Sequence, residues 1–81
     1  MAYVTIDGVK YEKELLDLAE KHTTGKNEGQ ISKDEAAELI NSAKDGVKVT
    51  EIELATLKYI RTQYPFTDAA AADFDRALAA L

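Results

Sequence analysis

The residue types that most often perform catalysis in proteins are few in this chain. His22 is the only histidine, and there is no cysteine, which disfavours a zinc centre built within one chain. No serine lies in the glycine-flanked turn that would expose it as a nucleophile. The stretch from Gly25 to Gly29 lacks the Gly-Lys-Ser/Thr signature of a phosphate-binding loop. The sequence therefore indicates no catalytic residues and predicts a protein that is not an enzyme.

The remaining polar side chains have simple structural explanations. His22 continues the apolar stripe of the first predicted helix, so its expected role is packing or helix capping. Asp17 and Glu20 are typical of a solvated helix face. Some of the four tyrosines could anchor a partner, but the spacing of Tyr59 and Tyr64 favours the core.

One segment has a pattern with a known counterpart. Residues 24–35 read Thr-Gly-Lys-Asn-Glu-Gly-Gln-Ile-Ser-Lys-Asp-Glu. This stretch resembles the calcium-binding loop of the EF-hand family, with Gly29 in the sixth place, Ile31 in the eighth and Glu35 in the twelfth. The resemblance covers about a dozen residues and implies calcium as the ligand of this loop.

The resemblance also implies which residues would hold the ion. These are Thr24, Glu28, Gln30 through its carbonyl group, Ser32 and Glu35. The family has Asp or Asn in the first, third and fifth places, whereas this chain has Thr24, Lys26 and Glu28 there. The Lys26 ammonium would repel a cation. A glycine-containing loop followed by a capped helix gives the same residues without a metal, so a plain connector is the other interpretation.

The charge of the chain limits its partners. Fifteen acidic and ten basic side chains among 81 residues give a formal net charge of −5. A negative surface repels the phosphate backbone of nucleic acids and the anionic inner face of membranes. No apolar run of about 18 residues is present, nor a basic start followed by an apolar run, so we expect a cytoplasmic location. The composition predicts a protein partner and neither nucleic acid nor a membrane.

The elements that would position these residues begin with a β-hairpin at residues 3–11. Asp7-Gly8 is a two-residue turn signal between two short runs of strand-forming residues. The turn sets a register in which Ile6 faces Val9 and Val4 faces Tyr11. These four side chains then share one face, which we expect to pack against helices because a lone hairpin is marginally stable in water.

Four helices follow. The first is indicated by apolar residues at helical spacing. The other three each begin at a hydrophobic residue followed by a hydroxyl N-cap, with Ser32, Thr50 and Thr67 as the caps. The third helix is apolar around most of its circumference, so we expect it to be central. The helices are predicted at residues 12–22, 32–44, 50–63 and 68–80. The predicted fold is mainly α (α+β): a single small four-helix domain over residues 1–81 with an N-terminal β-hairpin packed on it.

By elimination, this sequence predicts a small acidic, non-enzymatic protein-interaction or accessory module. No bound cofactor is expected under this hypothesis. The alternative is a calcium-binding domain that uses the EF-hand-like loop at residues 24–35. The calcium hypothesis predicts that the loop responds to an added ligand, and the interaction hypothesis predicts that the helix surfaces respond.

Overall fold

The chain folds in the predicted order, a hairpin followed by four helices. The computed structural model describes residues 2–24, 29–44 and 49–81. Its strands are β1 (Tyr3–Ile6) and β2 (Val9–Glu12), and its helices are α1 (Lys13–Thr23), α2 (Lys33–Ala43), α3 (Glu51–Gln63) and α4 (Asp68–Ala80). The predicted fold class is confirmed, with helix ends within one residue of the expected positions. No helix in these three ranges has both the length and the apolar content needed to cross a bilayer.

The hairpin has the predicted turn and register. Asp7 and Gly8 both have positive φ angles, 51° and 83°, as a type I′ turn requires. The register pairs Ile6 with Val9 and Val4 with Tyr11. The backbone NH of Lys13 also donates to the carbonyl oxygen of Ala2 at 3.0 Å, which extends the ladder by one pair at the end far from the turn.

The apolar face of the hairpin is only partly covered. Val9 is 45% exposed, and Val4 and Ile6 are half-buried. The expectation that this whole face enters the core is therefore wrong for Val9. The reason is that α3 meets the hairpin through Tyr11 and Glu12, at the end opposite the turn.

Hydroxyl side chains cap three of the four helices, as predicted. Ser32, Thr50 and Thr67 each accept a hydrogen bond from the backbone NH three residues later. Glu35 and Glu53 complete capping boxes by accepting from the backbone NH of Ser32 and Thr50. Helix α1 has no side-chain cap, because strand β2 continues directly into it.

The hydrophobic core lies among the helices. Helix α3 packs against β2 and against each of the other helices, and α2 also packs against all three other helices, so α3 shares its predicted central position with α2. The apolar stripe predicted for α2 is buried along its whole length. The buried hydrophobic side chains are Leu15, Ala19, Ile31, Ala36, Leu39, Ile40, Ala43, Leu57, Ile60, Ala70 and Phe74.

A parallel β-bridge joins the starts of α2 and α4. The backbone NH of Ile31 donates to the Pro65 carbonyl at 2.8 Å, and the NH of Thr67 donates to the Ile31 carbonyl at 3.0 Å. Ile31 is fully buried. The second half of the EF-hand-like loop is therefore tied to the segment before α4, and the N-caps of the two helices lie side by side.

Candidate functional site

Three of the four predicted calcium ligands that the structure describes form hydrogen bonds at the ends of helices. Ser32 Oγ accepts from the NH of Glu35 at 3.4 Å, and Glu35 Oε1 accepts from the NH of Ser32 at 3.0 Å. Thr24 Oγ1 donates to the Glu20 carbonyl at 2.9 Å, and Gln30 is exposed. Glu28 and Lys26, the two other loop residues that decide the hypothesis, lie outside the described residues. Calcium binding at this loop stays a prediction.

The second carboxylate oxygen of Glu35 is also occupied. It lies 3.1 Å from His22 Nδ1, and Oε2 of Glu38 lies 3.3 Å from His22 Nε2. The imidazole is 7% exposed, and its Nε2 atom has no partner in hydrogen-bond geometry within the described chain. His22 is thus the packed histidine that the sequence predicts. When it is protonated, it joins the end of α1 to the start of α2 by ionic contacts.

The described part of the chain contains no group of three or more His, Cys, Asp or Glu side chains placed to hold a metal ion. A calcium ion at residues 24–35 would have to replace the Glu35 contacts with Ser32 and His22. Breaking these contacts costs free energy that calcium coordination would have to offset. The contacts therefore disfavour calcium binding at this loop.

A buried carboxyl group lies where β2 meets α3. Glu12 is 2% exposed, and neither of its oxygens has a hydrogen-bond partner among the described residues. Its backbone NH donates to Thr56 Oγ1 at 2.7 Å, and Thr56 in turn donates to the Ile52 carbonyl. Burial, followed by the charges of Glu14 and Glu53, raises the pKa of Glu12, and the N-terminal amine and the Glu14 backbone amide oppose this shift.

Tyr11 of the hairpin lies against Tyr59 of α3, and Tyr64 at the end of α3 lies near Tyr59. The rings of Tyr11 in β2 and Tyr59 in α3 have centroids 4.6 Å apart at 37°. Tyr64, just after α3, packs against the core and is close enough to Tyr59 to be affected by its charge. All three are half-buried, so each ring is anchored on one side and reaches solvent on the other.

Two carboxylates of α1 lie close enough to Tyr64 for their charges to affect it. Asp17 and Glu20 are three residues apart and therefore lie on the same side of α1. Burial raises the pKa of Tyr64, and the charges of Glu20, Tyr59 and Asp17 raise it further. Asp17 is paired with Lys13 at 2.7 Å in an exposed contact. We call the surface formed by Tyr11, Tyr59, Tyr64, Asp17 and Glu20 the tyrosine face.

A second concave surface lies between α2 and α4. It is a groove of about 240 Å³ lined by Lys33, Asp34, Ala36, Ala37, Ile40, Asn41, Asp73, Phe74 and Ala77. This volume is below the roughly 300–1,000 Å³ of typical small-molecule sites. Lys33 and Asp73 approach to 3.5 Å at its edge, and its floor is apolar. The groove has room for one side chain and offers no set of convergent polar groups.

Comparison of the chain with protein-family models, with characterised proteins and with solved structures finds no match. The function therefore has to be argued from the two surfaces and from the chemistry of their side chains.

Sequence reasoning missed the tyrosine face. Helical spacing favours the core for Tyr59 and Tyr64, but both are only half-buried and neither belongs to the buried core. Helical spacing within α3 cannot predict that these tyrosines lie near Tyr11 and the acidic side of α1, because those segments are far from α3 in the chain. The available signal was the combination of four tyrosines with no tryptophan and an excess of acidic residues.

Proposed function

We propose that this protein is a non-enzymatic interaction module whose tyrosine face binds a basic segment of a partner protein. The observation that carries the proposal is the contact between the Tyr11 and Tyr59 rings, together with the half-buried Tyr64, which is close enough to Tyr59 and to the carboxylates of Asp17 and Glu20 to be affected by their charges. The chemistry of the partner follows from that pairing: arginine or lysine side chains presented by an exposed chain.

The rings supply a rigid platform. Tyrosine is enriched at protein interfaces because it buries a large area while losing few rotatable bonds. The rings of Tyr11 and Tyr59 pack against each other at a tilt of 37°, which restricts both rings before a partner binds. Arginine and lysine cations interact favourably with the face of an aromatic ring, with an energy of about 0.5–2 kcal/mol.

The carboxylates supply the charge preference. Glu20 is exposed and has no ion-pair partner among the residues described, so its charge is available to a partner. Asp17 holds Lys13 in a contact where both side chains are more than half exposed, and such a pair is worth little in water. A guanidinium that makes two parallel hydrogen bonds to Asp17 can displace the Lys13 ammonium. The net charge of −5 steers a basic partner toward the protein.

The test uses hexa-arginine carrying a fluorescent label as the probe. We expect it to bind the parent protein, and we expect Glu20→Gln to weaken binding by about tenfold, the loss of one charge-assisted contact of roughly 1.4 kcal/mol. Tyr59→Leu keeps an apolar side chain but removes the aromatic face, and should also weaken binding. Fluorescence anisotropy gives the Kd at each salt concentration, and the melting temperature confirms that each variant is folded.

The matched control is Asp34→Asn in α2, which removes the same charge from an exposed position at the groove between α2 and α4. If the probe binds only through the overall negative charge, Asp34→Asn and Glu20→Gln will weaken it equally. That outcome, or a labelled hexa-arginine that does not bind at all, would overturn the proposal.

A further inference from the structure

The edge of β1 that faces away from β2 has backbone groups with no hydrogen-bond partner among residues 2–24, 29–44 and 49–81. The two-residue turn makes Ile6 and Val9 a hydrogen-bonded pair. At the other end of the strand, the Lys13 NH donates to the Ala2 carbonyl, so the carbonyl group of Ala2 also points toward β2. Even-numbered residues of β1 therefore point their NH and carbonyl groups toward β2. Because residues of an antiparallel strand alternately point their backbone groups toward and away from the paired strand, the NH and carbonyl groups of Tyr3 and Thr5 point away from β2.

This edge strand is short, but it has no charged side chain and no proline, two features that commonly block pairing. Natural edge strands are commonly protected by charged side chains, proline or a bulge. Strand β1 reads Tyr-Val-Thr-Ile, four residues of high strand propensity and no charge. Tyr3 at 49% and Val9 at 45% exposure make the hairpin the place where two large hydrophobic side chains are most open to solvent.

We infer that β1 pairs with β1 of a second copy of this chain, forming a four-stranded antiparallel sheet across a two-fold axis. With Val4 opposite Val4 of the other copy, Tyr3 faces Thr5 in both directions. The outward NH and carbonyl groups of Tyr3 and Thr5 can then form four main-chain hydrogen bonds. The same surface is used by both copies, as a two-fold interface requires.

Among the surfaces of the chain, the edge of β1 is one where charge does not oppose contact with a second copy. Two chains of net charge −5 repel each other over most of their surfaces. The strip around β1 is the exception, because no charged residue lies between Tyr3 and Ile6. Contact there brings no like charges directly together.

The pairing also covers the open face of the hairpin. A two-fold axis perpendicular to the sheet keeps Val4 and Ile6 of both copies on one face, the side on which α3 packs against Tyr11. Strands β2 of the two copies would lie about 14 Å apart, three spacings of about 4.8 Å. Since packed helices need about 8–10 Å, both α3 helices fit above this sheet, and the half-buried Val4 and Ile6 side chains fill the space between them.

The experiment measures the mass of the full chain by sedimentation equilibrium from about 1 µM to about 1 mM, the range of weak association. We expect the mass to rise toward twice that of the 8.9 kDa chain. Thr5→Pro removes one outward NH, which β2 does not use, and proline is tolerated at such an edge position. It should reduce the association constant by about tenfold or more, whereas Thr5→Ser should leave it unchanged.

Amide hydrogen exchange in the parent chain keeps the test independent of whether Thr5→Pro folds. The amides of Tyr3 and Thr5 should become protected as concentration rises, while those of Val4 and Ile6 are protected at every concentration. A chain that stays monomeric at millimolar concentration would overturn the inference. A dimer in which the Tyr3 and Thr5 amides exchange at an unchanged rate would overturn it equally, since another surface would then form the contact.

Discussion

The carboxyl group of Glu12 lies between the end of β2 and α3, closed off from water and without a hydrogen-bond partner in the described chain. A buried carboxylate is costly when nothing compensates its charge, and the group then retains its proton to a higher pH. Its backbone NH is meanwhile held by Thr56. The position of the side chain thus follows from a main-chain bond that ties the hairpin to α3.

Glu12→Gln should stabilise the protein at neutral pH. The folded-state pKa of Glu12 is raised above the ordinary 4.5, so the folded chain binds this proton more tightly than the unfolded chain. The stability that this proton confers is complete below about pH 4.5 and is lost as the pH rises through the folded-state pKa. Glutamine keeps a neutral group at all pH values. The melting temperature of Glu12→Gln should therefore exceed that of the parent at pH 7, and the difference should shrink as the pH falls toward 4.5.

Glu51→Gln is the control, because it removes the same charge from an exposed position at the start of α3. It should give no rise in melting temperature, since a carboxylate in the first turn of a helix is favourable. In a domain of this size each kcal/mol shifts the melting temperature by about 4–8 °C, so the effect is measurable. Equal effects of the two substitutions would show that net charge, and not burial at Glu12, controls the pH dependence.

At the scale of elements, the helix starts were predictable because their determinants are local. Ser32 and Thr50 are each followed three residues later by a glutamate, and both capping boxes form. The turn at Asp7-Gly8 was predictable for the same reason. The position of Ile31, just before α2, was not, because it depends on the bridge between Ile31 and Phe66, which are 35 residues apart.

The EF-hand-like loop gives the prediction at this scale. With Glu35 engaged by Ser32 and His22, we expect millimolar calcium to leave the melting temperature of the parent unchanged and to move no amide signals from Gly29 to Glu35 beyond a general salt effect. Binding would instead stabilise the chain by about 2.7 kcal/mol once free calcium reaches a hundred times the Kd. Such stabilisation in the parent would establish the calcium-binding alternative.

Lys26→Asp is the informative companion variant. It removes an ammonium and adds a carboxylate in the third place of the loop, and affinity at such sites rises with the number of charged ligands. Calcium should bind this variant only if the loop already has a suitable geometry. If neither protein binds, the residues from 24 to 35 act as a connector.

At the scale of the whole molecule, the helical core was predictable and the surfaces were not. Apolar spacing located the buried stripe of α2, because burial follows the period of the helix. How far the hairpin lies over the helices depends on contacts between distant segments, chiefly Tyr11 with Tyr59 and Glu12 with Thr56. The tyrosine face arises from those same contacts, which is why spacing alone did not reveal it.

The core and the apolar face of the hairpin differ in their exposure to solvent, and this difference leads to a prediction about stability. Ile60 in α3 is fully buried, whereas Ile6 in β1 is half-buried. Ile60→Ala should cost about 2–5 kcal/mol of unfolding free energy, since it leaves a cavity in the core. Ile6→Ala removes the same atoms from a site that solvent already reaches, and should cost less than half as much in dilute solution. Urea unfolding of both variants beside the parent measures the difference. An equal loss of unfolding free energy in the two variants would mean that the hairpin face is as closely packed as the core. Pairing of β1 with a second copy would bury Ile6, so it requires that the loss caused by Ile6→Ala grow with protein concentration.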